Sequence, residues 1–298
     1  MKSPAADTPV VVRYLRMIRF SHTLFALPFA LAAVLIVYDR YRHLVALTSV
    51  KVALIVVAFT GMRSFAMAVN RLADRKIDAE NPRTATREIP AGTLSVGAVR
   101  FFALLSLIVL CVSAYFLTPV AGYLALPAAA VVATYSFAKR FTWLCHFWLG
   151  AAIGLAPAAV YVALLQHVYP EALIMGAILC FYIGGFDILY ALQDIEFDRS
   201  QGLKSIPARF GVRGAMWISR VSHLAALFAV GYLIHSLRLS FVSWGFFLVL
   251  AGLFAAEHYL VGSAQNPRYE KIPVAFFHVN TAFSGVFLAT VAAGLFFV

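Results

Sequence analysis

Two acidic ladders hold the residues in this sequence best suited to chemistry. The first is Asn70-Arg71-x-x-Asp74-x-x-x-Asp78, followed by Asn81, Arg83, Arg87, Pro90 and Gly92. The second is Asp187-x-x-Tyr190-x-x-x-Asp194-x-x-x-Asp198, followed by Lys204. Helical residues four apart share a face and drift by about 40° per step. Asn70, Asp74 and Asp78 therefore form one stripe, and Tyr190, Asp194 and Asp198 form another. Carboxylates stacked at this spacing repel one another, and two such stripes facing each other need a cation between them. Oxygen donors in this number suit magnesium, which takes one or two carboxylates and completes its shell with water and phosphate oxygens. Arg83, Arg87, Lys139 and Lys204 supply positive charge for the outer phosphate oxygens. The residues read as a diphosphate held through magnesium. Solvated helix ends would explain one such stripe; two, each followed by basic residues, argue against that. The repeated Asp-x-x-x-Asp hints at an internal duplication.

The elements that position these ladders follow from composition. Of 298 residues, 62% are hydrophobic and 12% charged, against roughly 25% charged in soluble domains, and mean hydropathy is +0.86. So few charges cannot cover a water-exposed surface, which excludes secreted, cytosolic and disordered classes. A membrane-crossing helix needs about 20 mostly apolar residues. That rule predicts nine spans, near 20–38, 52–69, 99–117, 119–136, 147–165, 171–190, 214–234, 241–261 and 273–297. The run Leu24–Val37 is followed by no small-residue cleavage pattern, so the first span is expected to be retained rather than removed as a signal peptide. The expectation is one all-α integral membrane domain over 1–298, a helical bundle around a central cavity that opens to the cytoplasm.

Charge sets the orientation. The net charge of +11 would suggest nucleic acid in a soluble protein, but no basic tract is interleaved with aromatics, and the Phe residues lie mostly in the spans. One side of the predicted topology carries Lys2, Arg13, Arg16 and Arg19, the basic residues from Arg71 to Arg100, Lys139, Arg140, those from Arg199 to Arg213, Arg268 and Lys271. The other carries Arg40, Arg42, Lys51 and Arg238. Positive residues collect in the cytoplasm, which places the N-terminus and both acidic ladders on the cytoplasmic side. Cys111, Cys145 and Cys180 form no CxxC pair, giving little support for zinc or a disulfide.

At the ladders the chain resembles the UbiA superfamily of intramembrane aromatic prenyltransferases. NRLADRKIDAENPRTATREIPAG (Asn70–Gly92) and DILYALQDIEFDRSQGLKSIPARFG (Asp187–Gly211) are similar to its two motifs, and YSFAKRFTWLCH (Tyr135–His146) to a third segment. Glu88 departs from the proline that many members carry there. With RFSHTLFALPFAL (Arg19–Leu31), the chain looks most like the branch making menaquinone through futalosine, whose acceptor is a dihydroxynaphthoate. It is slightly less similar to the 4-hydroxybenzoate enzymes of ubiquinone synthesis.

The resemblance implies that a polyprenyl diphosphate ionises to an allylic cation that alkylates an electron-rich aromatic ring. It implies magnesium on Asp74, Asp78, Asp194 and Asp198, and diphosphate on Asn70, Arg71, Arg83, Arg87, Lys139 and Lys204. It also implies catalytic roles for Asp187, Tyr190 and Arg140. Arg140 would pair with an acceptor carboxylate, its alternative being a membrane anchor. Asp187 and Tyr190, one to two turns deeper, would orient the acceptor or take the ring proton. The 75–98 loop is the candidate lid, and a bacterial cytoplasmic (inner) membrane the expected location. Arg63, within a span, needs a carboxylate or phosphate partner. His22 reads as structural or pocket-lining, Glu257 and His258 as interfacial, and Trp143, Trp148 and Tyr259 as interface anchors. Other acceptors (homogentisate, haem, a lipid headgroup) and an ion-coupled transporter are the competing readings. Transporter sites usually lie near the bilayer midplane, whereas these carboxylates cluster at one face beside basic loops.

Overall fold

The computed structural model describes residues 9–19 and 26–297; Lys2, His22 and the start of the first expected span lie outside the described residues. The described chain is helical: α1 (Val10–Met17), α2 (Leu27–Tyr41), α3 (Ser49–Glu80), α4 (Val96–Leu117), α5 (Pro119–Ala138) and α6 (Cys145–Leu165), then α7 (Pro170–Ser200), α8 (Ile206–Ser236), α9 (Val242–Val261) and α10 (Tyr269–Phe296). Among the described residues the only bridge is an isolated one, Gly262 with Pro267. Eight helices, α3 to α10, are long and apolar enough to cross a membrane and coincide with eight of the nine expected spans. The ninth is represented by α2, whose 15 residues rise only about 22 Å at 1.5 Å per residue; residues 20–25 of that span lie outside the described residues. Large apolar side chains such as Phe101, Phe116, Phe228, Phe241 and Leu248 are exposed, as expected where lipid is the solvent.

Backbone packing separates two compact units, Met1–Thr23 with Ala53–Phe137, and Leu24–Val52 with Ala138–Val298. In the first unit, α1 docks through Met17 and Ile18 onto Ala68, Leu94, Val99 and Ala103, and Tyr14 stacks on Phe102 at 4.9 Å. Gly61 lets α3 lie against α4, since a Cβ there would sit 3.0 Å from the Leu110 nitrogen. At 32 residues, α3 is about 48 Å long, well beyond a hydrocarbon core of about 30 Å. It carries the first motif as far as Glu80.

In the second unit α7 packs on both α6 and α8. The α6–α7 seam is built on small residues: a Cβ on Gly154 would meet the Gly176 carbonyl at 2.6 Å, one on Gly176 would meet the Gly154 carbonyl at 2.8 Å, and one on Gly150 would meet the Cys180 backbone. As position rises along α6 it falls along α7, so the two run antiparallel. Glu171, in the first turn of α7, accepts from the phenols of Tyr41 at 2.6 Å and Tyr161 at 3.2 Å, and its charge suits a helix N-terminus. In α8 the backbone breaks at Gly211 (φ 68°, ψ −179°), just before the expected span at 214.

One sequence expectation is revised here. Glu257 is buried rather than interfacial. Its carboxylate lies 3.9 Å from His223 Nδ1, which is 3.1 Å from His258 Nε2, and the His223 ring lies flat on Phe254 at 4.1 Å. Trp143 packs edge-on against Phe210 at 5.2 Å, with the Arg209 guanidinium over its ring. Trp148 and Tyr259 are exposed.

Candidate active site

The first motif occupies the final turns of α3 and a folded segment after it. The i,i+4 spacing works as expected: Asn70 Nδ2 donates to Asp74 Oδ2 at 3.1 Å. Asp78, one turn on, accepts from Arg87 Nη1 at 2.7 Å through Oδ1. Its Oδ2 is buried with no hydrogen-bond partner. Asp74 and Asp78 are both buried. Arg71 is buried too, and its Nε donates to the Met17 carbonyl at 3.2 Å, closing the end of α1.

The expected 75–98 loop is shorter than predicted, because α3 continues to Glu80 and α4 begins at Val96. The intervening chain is wound into turns rather than left open. Asn81 Oδ1 accepts from the Arg83 amide at 2.9 Å, and Thr84 Oγ1 donates to the Asp78 carbonyl at 3.1 Å. The Thr93 and Leu94 amides both donate to the Glu88 carbonyl around Gly92, whose φ of 69° suits glycine. Arg13 Nη1 donates to the Thr93 carbonyl at 2.8 Å. The Asp78–Arg87 ion pair ties the end of α3 to this segment by charge, alongside the Asn81, Thr84 and Arg13 side-chain bonds. An Arg87→Met variant is expected to speed amide exchange across 81–95 by about 10- to 100-fold, the size of a charge-assisted hydrogen bond. Hydrogen-exchange mass spectrometry checks this, and unchanged exchange would mean that the backbone turns and the remaining side-chain bonds hold the segment without the ion pair.

The second motif lies at the end of α7, where the even stripe is interrupted. Residues Ala191–Asp194 form a 3-10 turn before the α-helix resumes at Ile195. A 3-10 turn winds at about three residues per turn instead of 3.6, so Asp194 is rotated away from the line through Tyr190 that the α-helical spacing predicted. Asp198 is buried, and its carbonyl accepts from the Leu203 amide at 2.8 Å around Gly202 (φ 64°). This turn returns Lys204 to the third segment: its amide donates to the Lys139 carbonyl at 2.7 Å and its Nζ to the Phe141 carbonyl at 3.2 Å. Lys139, Arg140 and Lys204 therefore belong to one connected patch of the second unit. The Tyr190 ring lies 4.3 Å from Phe276. Asp187 Oδ2 is 2.7 Å from His146 Nδ1, a partner the sequence reading missed. A histidine at the apolar start of α6 was the available signal, since an ionisable residue in a membrane span needs a partner. Arg63 lies in α3, and its Nε is buried without a hydrogen-bond partner.

The donors suit a hard cation. They are carboxylate and amide oxygens with no thiolate among them, and the buried Asp78 Oδ2 lacks a partner. Among the described residues no three His, Cys, Asp or Glu side chains converge as a metal-binding group. A shell completed by water and phosphate oxygens is the arrangement magnesium prefers.

The fold and these helix ends define an all-α integral membrane protein with polar, carboxylate-rich termini on α3 and α7. The profile of the UbiA prenyltransferase family matches residues 19–296. A relative named 4-hydroxybenzoate octaprenyltransferase from Aliivibrio fischeri is 30% identical over 238 residues, 78% of this chain and 81% of the relative. One of the same name from Photobacterium profundum is 32% identical over 208 residues, 69% of this chain and 71% of the relative. The apo structure of a UbiA homolog from Aeropyrum pernix K1 superposes with a TM-score of 0.79 at 28% identity, covering 91% of this chain and 97% of that one. A UbiA homolog from Archaeoglobus fulgidus bound to GPP and Mg2+ shares the fold at TM-score 0.63 and 18% identity, covering 94% and 99%. The chain belongs to the UbiA prenyltransferase family, and it is a UbiA-type prenyltransferase.

Proposed function

We propose that this protein transfers a polyprenyl group from a prenyl diphosphate to a hydroxylated aromatic acid, of dihydroxynaphthoate or 4-hydroxybenzoate type, in respiratory quinone biosynthesis (menaquinone or ubiquinone). The observation that carries the reading is the pair of acidic helix ends, each followed by basic residues, in a UbiA-family chain. The names of the curated relatives and the GPP and Mg2+ held by the Archaeoglobus homolog support the two substrate classes. The distribution of Lys and Arg supports a cytoplasmic position for the N-terminus and both motifs, in the cytoplasmic membrane of a bacterium.

In this reading Asp74, Asp78, Asp194 and Asp198 hold magnesium, whose charge offsets that gathering on the departing diphosphate. Asn70 keeps Asp74 oriented through its amide. Arg71, Arg83, Arg87, Lys139 and Lys204 are assigned to the phosphate oxygens; Arg71 and Arg87 also tie down α1 and the 81–95 segment. Tyr190, its ring backed by Phe276, works with Asp187 on the acceptor, and aromatic faces nearby stabilise the allylic cation by cation–π attraction. Exclusion of water protects that cation until the ring attacks. Arg140 pairs with the acceptor carboxylate, and Asp187 orients the acceptor hydroxyl or receives the ring proton.

The test is a mass-spectrometric assay of the purified protein in nanodiscs, with farnesyl or geranyl diphosphate, magnesium, and either 4-hydroxybenzoate or 1,4-dihydroxy-6-naphthoate. The expected result is a magnesium-dependent prenylated product with stoichiometric diphosphate release. Prenylation of neither acid, with homogentisate or a lipid headgroup alkylated instead, would overturn the acceptor assignment.

A further inference from the structure

The hydrogen bonds of His146 to Asp187 and to the Ile206 amide together assign its protonation. The Ile206 backbone N–H donates to Nε2 at 3.3 Å, so Nε2 carries a lone pair. The ring proton is therefore on Nδ1, which faces Asp187 Oδ2 at 2.7 Å. A doubly protonated ring would set two donors against each other at Ile206. Ile206 opens α8, so its amide is one of the helix N-terminal donors that has no partner within the helix; the imidazole accepts from it. The ring is buried while Asp187 stays partly accessible, with side-chain exposures of 4% and 27%.

One imidazole thus joins three elements: the first turn of α6, the Asp187 turn of α7 and the start of α8. The same corner holds Lys204, through its bonds to Lys139 and Phe141. Asp187 lies on a helix that loses regular α-geometry a few residues later, at Ala191, and a carboxylate there needs outside support to hold one rotamer. The His146 Nδ1–H engages Oδ2 and leaves Oδ1 as the remaining acceptor.

We propose that His146 is a positioning residue for the aromatic acceptor. Held in its Nδ1–H form by the Ile206 amide, it fixes the Asp187 carboxylate so that Oδ1 receives the acceptor hydroxyl. The inference rests on the assignment of Asp187 to the acceptor made above. It adds a residue outside the two acidic motifs and a defined tautomer. His146 touches neither substrate and acts through Asp187.

The test compares His146→Leu, which removes both bonds, with His146→Gln, whose amide NH2 can donate to Asp187 while its carbonyl accepts from Ile206. His146→Leu is expected to lower kcat/KM for the aromatic acid by about 10- to 100-fold, the loss typical of a hydrogen bond to a charged group. The KM for prenyl diphosphate should stay within about twofold, and glutamine should restore most of the loss. Combined with Asp187→Asn, His146→Leu should add little further loss, since coupled residues are not additive. If the leucine variant does not fold, His146→Asn replaces it, its shorter amide being unable to span both partners. A glutamine variant that folds but is as impaired as leucine, full additivity with Asp187→Asn, or a loss borne by prenyl diphosphate would each overturn the inference alone. A wild-type protein that prenylates no aromatic acid would overturn the acceptor reading and this inference together.

Discussion

Asp74→Asn and Asp194→Asn variants are each expected to lose turnover by about 10³-fold while remaining as heat-stable as the wild type, or more so. The opposite signs identify the role. Asp74 is buried, one helical turn from buried Asp78, so the two charges repel at i,i+4 and each resists desolvation. Asparagine keeps the shape and can still bond Asn70, yet removes the charge, which relieves both penalties. A purely structural carboxylate would lose stability on such a change. A carboxylate there to bind a cation and an anionic substrate leaves the fold relaxed when it is neutralised. Turnover by product mass, the melting temperature in nanodiscs, and the magnesium concentration giving half-maximal rate form the measurement. Activity within tenfold of wild type in both variants, across a magnesium titration, would remove these carboxylates from the metal site.

The parts of the molecule that sequence could reveal are those whose partners lie within a turn or two along the chain. Asn70 and Asp74 are four apart, and their hydrogen bond is a direct consequence of helical periodicity. The apolar runs likewise announce the long helices, eight of the nine expected spans matching α3 to α10, although hydropathy ends the second span at 69 while α3 runs on to Glu80. Backbone hydrogen bonding does not stop where side chains become polar, and the extra turns carry the motif. The 3-10 turn at Ala191–Asp194 left no trace, because neither glycine nor proline marks it. Contacts between distant segments left none either. His146 with Asp187, Arg71 with Met17 and Arg13 with Thr93 are joined only by the fold. Glu257 was misread for a related reason: proximity to the end of a span says nothing about which face of the helix is covered. The carboxylates declare their chemistry in sequence because like charges at short spacing are costly and demand an explanation. A distant group that orients them, such as His146, signals that it needs a partner but not which one, and the pairing appears only in three dimensions.

Gly154→Leu is expected to cost about 3 kcal/mol or more, at or above the upper end of ordinary overpacking, because the obstructing atoms are backbone and cannot change rotamer. The Cβ would meet the Gly176 carbonyl at 2.6 Å, so α6 and α7 would have to separate. In lipid no hydrophobic force opposes that separation; close approach over small residues, with its dispersion and Cα–H···O contacts, is what holds such helices together. The damage should also reach the chemistry. His146 lies on α6 about one turn before Gly150, and Asp187 lies on α7 about one turn beyond Gly184 and two beyond Cys180, so the same antiparallel seam sets their 2.7 Å contact. Gly252, with open space around its Cβ position, is the control: Gly252→Ala should be neutral or slightly stabilising, since alanine is the better helix former. Thermal unfolding followed by size-exclusion chromatography separates the cases. A Gly154→Leu protein that melts with the wild type would show that α6 and α7 do not depend on this approach, and the positioning of Asp187 would then need another support.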